Sequence, residues 1–194
     1  MRIISIWPGS SPVSFPATIW LNEACLLRPG RPFFIPDWDS DFRWMPMLAL
    51  KIDRVGKSIP ARFAHRYVSQ ASVWLQAVGG DTAAKLAAAG LPLASAVGFD
   101  YSLASAPFEK MTLEQARALK VTLSLGSSTL SLDARNCPDP AETLATLSSR
   151  NTVRTGDLIL LALASEFIPI IQGDEVNVTL ESPHTKELLR FSIK

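Results

Sequence analysis

Short runs in which apolar and polar residues alternate recur along the chain, and this pattern predicts strands. The predicted strands cover residues 3–7, 17–21, 31–36, 47–54, 71–78, 121–125, 129–132, 158–163, 175–181 and 188–193. The run at 31–36 has a proline near each end, which favours an edge strand because proline cannot donate a ladder hydrogen bond. A Gly-Ser-Ser turn at 126–128 predicts a hairpin, and the last two strands are expected to pair around residues 182–185.

Helix-start signals precede most of the segments that do not alternate. The predicted helices cover residues 58–67, 82–89, 113–119 and 140–149. Asp81 is expected to cap the second, Thr112 and Gln115 form a capping box for the third, and Asp139 with Pro140 begins the fourth. No internal repeat or linker interrupts this order. The pattern predicts a single strand-rich α+β domain over residues 1–194, with a few short peripheral helices.

The composition narrows the class of protein. Of the 194 residues, 47% are hydrophobic and 19% are charged, and the formal net charge is +1. This near-neutral balance argues against nucleic acid or an anionic membrane as partner, since both are bound through excess positive charge. No stretch approaches the roughly 20 apolar residues of a spanning helix. Cys25 and Cys137 stand far apart and outside any metal motif, so we expect free thiols in a cytoplasmic protein.

Few residues indicate catalysis. The two histidines, His65 and His184, lie on a predicted helix and in a predicted turn, where surface or packing roles are favoured. Asp37, Asp39 and Asp41 form an acidic cluster whose spacing of two would suit a hard cation such as Mg²⁺ on a strand. The cluster follows Pro36 in a predicted loop, however, so solvated, turn-forming aspartates are the favoured interpretation and a metal site is the alternative.

Five segments, taken in order, resemble a known family. They are RPFFIPD at 31–37, KIDRVGKSIPARFAHRY at 51–67, GLP at 90–92, GFD at 98–100 and RTGDLI at 154–159. Together they resemble the fumarylacetoacetate hydrolase family, particularly its short single-domain members, from about residue 31 to the C-terminus. The resemblance implies a mixed β-roll, like the family's C-terminal domain, and a homodimer. It also implies Mg²⁺- or Mn²⁺-dependent enzymes that cleave, decarboxylate, isomerise or hydrate 2-oxo or dicarbonyl acids.

The family's metal ligands are a Glu-x-Glu on one strand and an acidic residue on the next. Counted along the resembling segments, these positions fall on Met45, Met47 and Gln76, and a lysine that lines the site falls on Val97. Asp81 matches an aspartate just beyond the third ligand. Thioethers are soft and neutral ligands that suit a hard dication poorly. We therefore expect no metal cofactor, with Mg²⁺ or Mn²⁺ as the alternative.

Three hypotheses of function follow. The first is a protein that has lost the family's catalysis and acts as a binding or partner subunit, with a homodimer and a small acidic or apolar ligand expected. The second is an enzyme for 2-oxo or dicarbonyl acids, in which Asp37, Asp39 and Asp41 lie at the pocket mouth and Arg43 holds a substrate carboxylate. The third is a carrier with an apolar pocket lined by methionine and tryptophan.

Overall fold

The protein is described by a computed structural model over residues 1–7, 17–164, 166–181 and 185–194. His184 and most of the predicted turn at 182–185 lie outside these residues. The strands are β1 Ile3–Trp7, β2 Ala17–Leu21, β3 Leu26–Leu27, β4 Phe42–Ile52, β5 Val68–Gly79, β6 Leu103–Ala104, β7 Glu109–Lys110, β8 Lys120–Leu125, β9 Ser128–Asp133, β10 Leu158–Ala162, β11 Ile168–Pro169, β12 Glu175–Leu180 and β13 Lys186–Ser192. The α-helices are α1 Gly80–Ala88, α2 Ala94–Val97, α3 Leu113–Arg117 and α4 Pro140–Arg150, and the 3₁₀ helices are η1 Glu23–Cys25, η2 Ala61–Arg66 and η3 Ala134–Asn136.

The described strands form two sheets, a larger mixed sheet and a smaller antiparallel sheet. The larger has the order β2-β1-β10-β4-β5-β6-β3, with β11 beside β4 and β7 beside β5, and the smaller has the order β13-β12-β8-β9. Strands β1 and β10 pair in parallel, as do β3 and β6, whereas the other pairs are antiparallel. This arrangement confirms the predicted strand-rich α+β class.

The long hairpin of β4 and β5 forms the centre of the larger sheet. Strand β4 begins at Phe42, five residues before the predicted start at 47, because the strand continues through Pro46. Strand β10 leaves β4 at the Ala162–Met47 pair, and β11 joins it at the Ile168–Trp44 pair. Pro46 lies between the two partners, where the Leu163 N–H donates to its carbonyl at 2.8 Å. The missing N–H of proline therefore costs no ladder bond there.

The predicted edge strand at 31–36 is wrong. Within it, only Phe33 forms a bridge, a parallel one with Ile193. The prolines limit regular pairing, and the segment instead runs along the C-terminal strand. The predicted helix at 58–67 is the shorter 3₁₀ helix η2, and Pro60 stands before it as its cap residue.

The core lies on both faces of the larger sheet. On one face, the Trp44 ring packs 4.8 Å from the Phe33 ring and 5.7 Å from the Phe191 ring of β13, in the smaller sheet. Cys25 and Cys137 are buried free thiols, and burial raises the pKa of the Cys137 thiol to about 11. In the described ranges, no helix is long and apolar enough to cross a membrane.

Candidate functional site

The strand register brings three of the predicted site residues together. Met45 lies opposite Gln76 across the β4–β5 pair, and Met47 lies opposite Trp74. Because side chains alternate along a strand, these four share one face of the sheet. The exposed fractions of Met45, Met47 and Gln76 are 1%, 0% and 0%. The grouping predicted from the resemblance is therefore present, in the interior of the protein.

A hydrogen bond shows that this face is concave. The Ser5 hydroxyl on β1 donates to Gln76 Oε1 on β5 at 2.6 Å, although β10 and β4 lie between the two strands. In a flat sheet, strands three places apart would be separated by about 14 Å, beyond the reach of a serine and a glutamine. The sheet must curl strongly to close this gap. We call Ser5, Met45, Met47, Trp74 and Gln76 the concave face.

The polar groups of the concave face form a short neutral chain. Trp7 Nε1 donates to Ser5 Oγ at 2.8 Å, and Ser5 donates onward to Gln76. Gln76 Nε2 is buried and has no hydrogen-bond partner among the described atoms. Sequence reasoning missed Ser5 and Trp7. The available signal was a serine in the middle of an otherwise apolar strand, since a buried hydroxyl requires a partner.

Val97 and Asp81 take no part in this chain of hydrogen bonds. Val97 ends α2, which packs against β5, and is 1% exposed. Asp81 is exposed in the first turn of α1, and its predicted role as helix cap is wrong. The helix begins two residues earlier than that role requires, with Gly79 at the cap position.

The cap of α1 comes from Asp39 instead. Its Oδ2 accepts the Thr82 N–H at 2.8 Å, and its Oδ1 accepts the Asp81 N–H at 3.3 Å and the Asp41 N–H at 3.0 Å. Burial acts to raise the pKa of the Asp39 carboxyl, but these hydrogen bonds outweigh it and lower that pKa. A carboxylate at the start of a helix also faces the positive end of its dipole. Asp39 is thus engaged in local structure.

The rest of the acidic cluster does not converge on one point. Asp41 accepts Arg43 Nε at 2.8 Å, and a second Arg43 nitrogen lies 2.7 Å from its other oxygen. Asp37 is exposed. No group of three histidine, cysteine, aspartate or glutamate residues within the described ranges could hold a metal ion. The Arg43 guanidinium is therefore also engaged, by Asp41 two residues before it.

We expect Asp39→Ala to lower the free energy of unfolding by about 1–2 kcal/mol, the usual cost of removing a helix cap. Urea unfolding followed by tryptophan fluorescence measures this change. Asp37→Ala removes an exposed carboxylate from the same loop and serves as the matched control, with a change near zero. An equal effect of both substitutions would contradict the capping role of Asp39.

Comparisons with known proteins bear on the fold. No family model matches the sequence, and no curated protein matches it significantly. Among solved structures, a protein assigned to the fumarylacetoacetate hydrolase family from Yersinia pestis superposes with a TM-score of 0.83 over 100% of this chain and 93% of that chain, at 19% identity. The chain has the fumarylacetoacetate hydrolase fold. The resemblance found in the five sequence segments is thereby confirmed for the architecture.

Two further proteins with the fumarylacetoacetate hydrolase fold have named activities. Fumarylpyruvate hydrolase from Pseudomonas aeruginosa, in complex with Mn²⁺ and pyruvate, matches with a TM-score of 0.83 over 100% of this chain and 89% of that chain, at 16% identity. 5-Carboxymethyl-2-hydroxymuconate delta-isomerase from Mycobacterium smegmatis matches with a TM-score of 0.81 over 99% of this chain and 78% of that chain, at 18% identity.

The expectation of no metal cofactor is contradicted by the comparison, because the Pseudomonas enzyme of the same fold is in complex with Mn²⁺. Whether the side chains of the concave face suit Mn²⁺ depends on their ligand atoms. Mn²⁺ favours carboxylate, carbonyl and water oxygens, whereas Met45 and Met47 offer thioethers. Gln76 Oε1 already accepts the Ser5 hydroxyl. These residues therefore do not fit a manganese ion.

Proposed function

We propose that this chain, as one fumarylacetoacetate hydrolase-like domain over residues 1–194, has lost the catalysis of its fold relatives and acts as a binding or partner subunit. The observation that carries the proposal is the filled concave face. Met45, Met47 and Gln76 are packed at 0–1% exposure where the resemblance places three acidic ligands. Methionine is a flexible, polarisable side chain that fills irregular interior space well.

The chemistry of the concave face supports the same proposal. A hydrolase or isomerase acting on a 2-oxo acid must stabilise developing negative charge and move a proton. The concave face presents two thioethers, an indole, a hydroxyl and an amide, all of them neutral at physiological pH. Lys51, further along β4, lies 3.5 Å from Gln70 Oε1 and 5.9 Å from the centre of the Phe108 ring. It lies on the same side of the sheet as Met47, where these two contacts engage its ammonium group.

A binding role is also consistent with the unpaired amide of Gln76. A buried N–H without an acceptor costs free energy, and a carbonyl or carboxylate oxygen would relieve that cost. Because Gln76 is 0% exposed, a small acidic or apolar ligand would reach this donor only if Met45 or Met47 moved aside. A homodimer is the expected assembly of the subunit.

The test is an assay of the purified chain with fumarylpyruvate, with and without Mn²⁺, followed by the ultraviolet absorbance of the substrate. We expect no loss of absorbance above the buffer rate under either condition. No described residue of the concave face can accept a proton as a base or offer a positive charge to the developing negative charge. The Pseudomonas fumarylpyruvate hydrolase is the positive control. Turnover that depends on Mn²⁺ and scales with protein concentration would contradict the proposal.

Metal-independent turnover would favour the alternative of an enzyme that uses its own side chains on a 2-oxo acid. Loss of that turnover in Arg43→Gln, with Arg190→Gln unaffected, would identify Arg43 as the substrate-binding group. The alternative is supported by the hydrolase and isomerase names of the fold relatives. It is opposed by the pairing of Arg43 with Asp41.

A further inference from the structure

A second concave region lies at the free edge of the larger sheet. It is a groove of about 980 Å³ beside β3, lined by residues from the η1–β3 segment, the 31–36 segment and the 100–105 segment. Met45, Met47 and Gln76 do not line it. Its volume is within the range of small-molecule sites, which run from about 300 to 1,000 Å³. We call it the edge groove.

Two arginines face the edge groove from one tight turn. The Arg31 N–H donates to the Arg28 carbonyl at 3.2 Å, and Gly30 between them has a φ of +76°. A type II turn needs positive φ at its third residue, and Pro29 suits the second, so the Arg-Pro-Gly-Arg sequence specifies this turn. The first and last residues of such a turn lie close together. Neither guanidinium has an ion-pair or hydrogen-bond partner among the described residues.

Two exposed aromatic rings accompany the arginines. Phe34 is 66% exposed and Tyr101 is 61% exposed, and both line the edge groove. Tyr101 has a φ of 62°, a conformation that a bulky residue rarely adopts. Strain at a bulky exposed residue is a reason to look for function at that position.

The backbone holds both rings in place. On one wall, the Phe33 N–H donates to the Ser192 carbonyl at 2.9 Å, and the Ile35 N–H donates to the Lys194 carbonyl at 2.9 Å. Side chains alternate along an extended segment, so Phe34 points to the side opposite the buried Phe33 and is exposed. On the other wall, the Tyr101 N–H donates to the Ala24 carbonyl at 3.0 Å. Rings fixed on a rigid backbone lose little entropy when they bind a ligand.

The charges favour an anion. Glu23 lines the edge groove and is ion-paired with the N-terminal amine at 3.4 Å. Asp100, in the same lining, has no ion-pair partner among the described residues. With the Glu23 pair counted as neutral, Arg28, Arg31 and Asp100 leave one net positive charge. Arginine binds carboxylates through two parallel hydrogen bonds, which gives both orientation and affinity.

The edge strand is too short to recruit a peptide strand instead. Strand β3 has two residues, and its Leu27 carbonyl already accepts the Ser105 N–H at 3.1 Å and the Ser105 hydroxyl at 2.9 Å. Very short edge strands are a common means of preventing strand addition. Strand addition at this edge is therefore disfavoured.

We propose that the edge groove binds a small carboxylate with a planar apolar body. Arg28 and Arg31 hold the carboxylate, and the Phe34 and Tyr101 rings contact the body. This site is separate from the concave face, so its occupancy does not depend on whether the chain is an enzyme.

The test is calorimetric titration of the full chain with cinnamate, and with uncharged cinnamamide as the matched ligand. We expect saturable binding of cinnamate at one site, and binding of cinnamamide that is weaker by about tenfold or more, because a charge-assisted hydrogen bond is lost. Arg28→Gln and Arg31→Gln should each lower the affinity for cinnamate by a similar factor. Arg190→Gln, which removes an exposed arginine outside the groove, should leave the affinity unchanged.

Two further variants separate binding from folding. Tyr101→Gly removes the ring but suits a φ of 62°, so we expect weaker cinnamate binding with an unchanged or higher thermal midpoint. Asp100→Asn removes the opposing charge and should strengthen cinnamate binding. Equal affinity for cinnamate and cinnamamide, insensitivity to the arginine substitutions, or no saturable binding at millimolar cinnamate would each overturn the proposal.

Discussion

Replacing Met47 by glutamate is expected to lower the free energy of unfolding by about 3–5 kcal/mol, the cost of a buried charge without a partner. Met47 is 0% exposed, and its cross-strand neighbour is Trp74. No described residue of the concave face carries a compensating charge. Met47→Leu keeps the volume and the apolar character, so its cost should stay below about 1.5 kcal/mol. Urea unfolding followed by the fluorescence of the buried tryptophans measures both changes.

The same experiment can be extended to restore a metal-binding donor set. The triple variant Met45→Glu, Met47→Glu, Gln76→Glu places three carboxylates on adjacent strands at the register seen here. We expect it to be strongly destabilised without metal and to gain thermal stability when Mn²⁺ is added, since a ligand that binds only the folded state stabilises it. Wild type and Met47→Leu are the controls for nonspecific effects of Mn²⁺. If Met47→Glu proved as stable as Met47→Leu, the concave face would be open to water and its proposed filling would be contradicted.

Removing the Asp157 carboxylate is expected to cost about 2–4 kcal/mol, because a buried acceptor that joins distant segments is lost. Arg2 Nε donates to Asp157 Oδ1 at 3.1 Å, and a second Arg2 nitrogen bonds Oδ2. The Arg154 N–H also donates to Oδ2 at 2.8 Å. The side chain of Asp157 is 3% exposed. Asp157→Asn tests this role, and Glu175→Gln, which alters an ion pair with both partners largely exposed, is the control.

The Asp157 carboxylate also makes stability depend on pH. Burial acts to raise its pKa, but the hydrogen bonds from Arg2 and Arg154, together with the charge of Arg2, lower it below the ordinary 3.8. A carboxyl with a lowered pKa in the folded state stabilises the fold fully above the unfolded pKa, and this contribution is lost as pH falls through the folded pKa. Acid unfolding of the wild type should therefore be steeper below pH 3.8 than that of Asp157→Asn. Parallel acid titrations of the two proteins would contradict the assignment.

The elements that sequence predicted well are those fixed by neighbouring residues. The capping box of Thr112 and Gln115 is present, the Asp139 cap precedes α4, and the β8–β9 hairpin turns at the expected residues. Each depends on side chains within a few positions of the backbone they contact.

The elements that sequence predicted poorly depend on distant partners. Pro46 is tolerated in β4 because β10 ends and β11 begins beside it. The cap of α1 comes from Asp39, more than forty positions before the helix's first turn. The grouping of Met45, Met47 and Gln76 was accessible through the resemblance. The hydrogen bond from Ser5 to Gln76 was not, because it requires the curl of the sheet. The edge groove was missed because Arg28 and Tyr101, which both line it, are more than seventy positions apart in the sequence.

The position of β1 has a consequence for synthesis on the ribosome. Strand β1 is made first, but its parallel partner β10 is made more than 150 residues later. Until β10 has left the exit tunnel, the long apolar hairpin of β4 and β5 has no neighbour along one edge. Pairings between distant segments form slowly, and an uncovered apolar strand edge promotes aggregation in the meantime. The nascent chain is therefore expected to require a chaperone that shields this hairpin until Ala162 has left the exit tunnel.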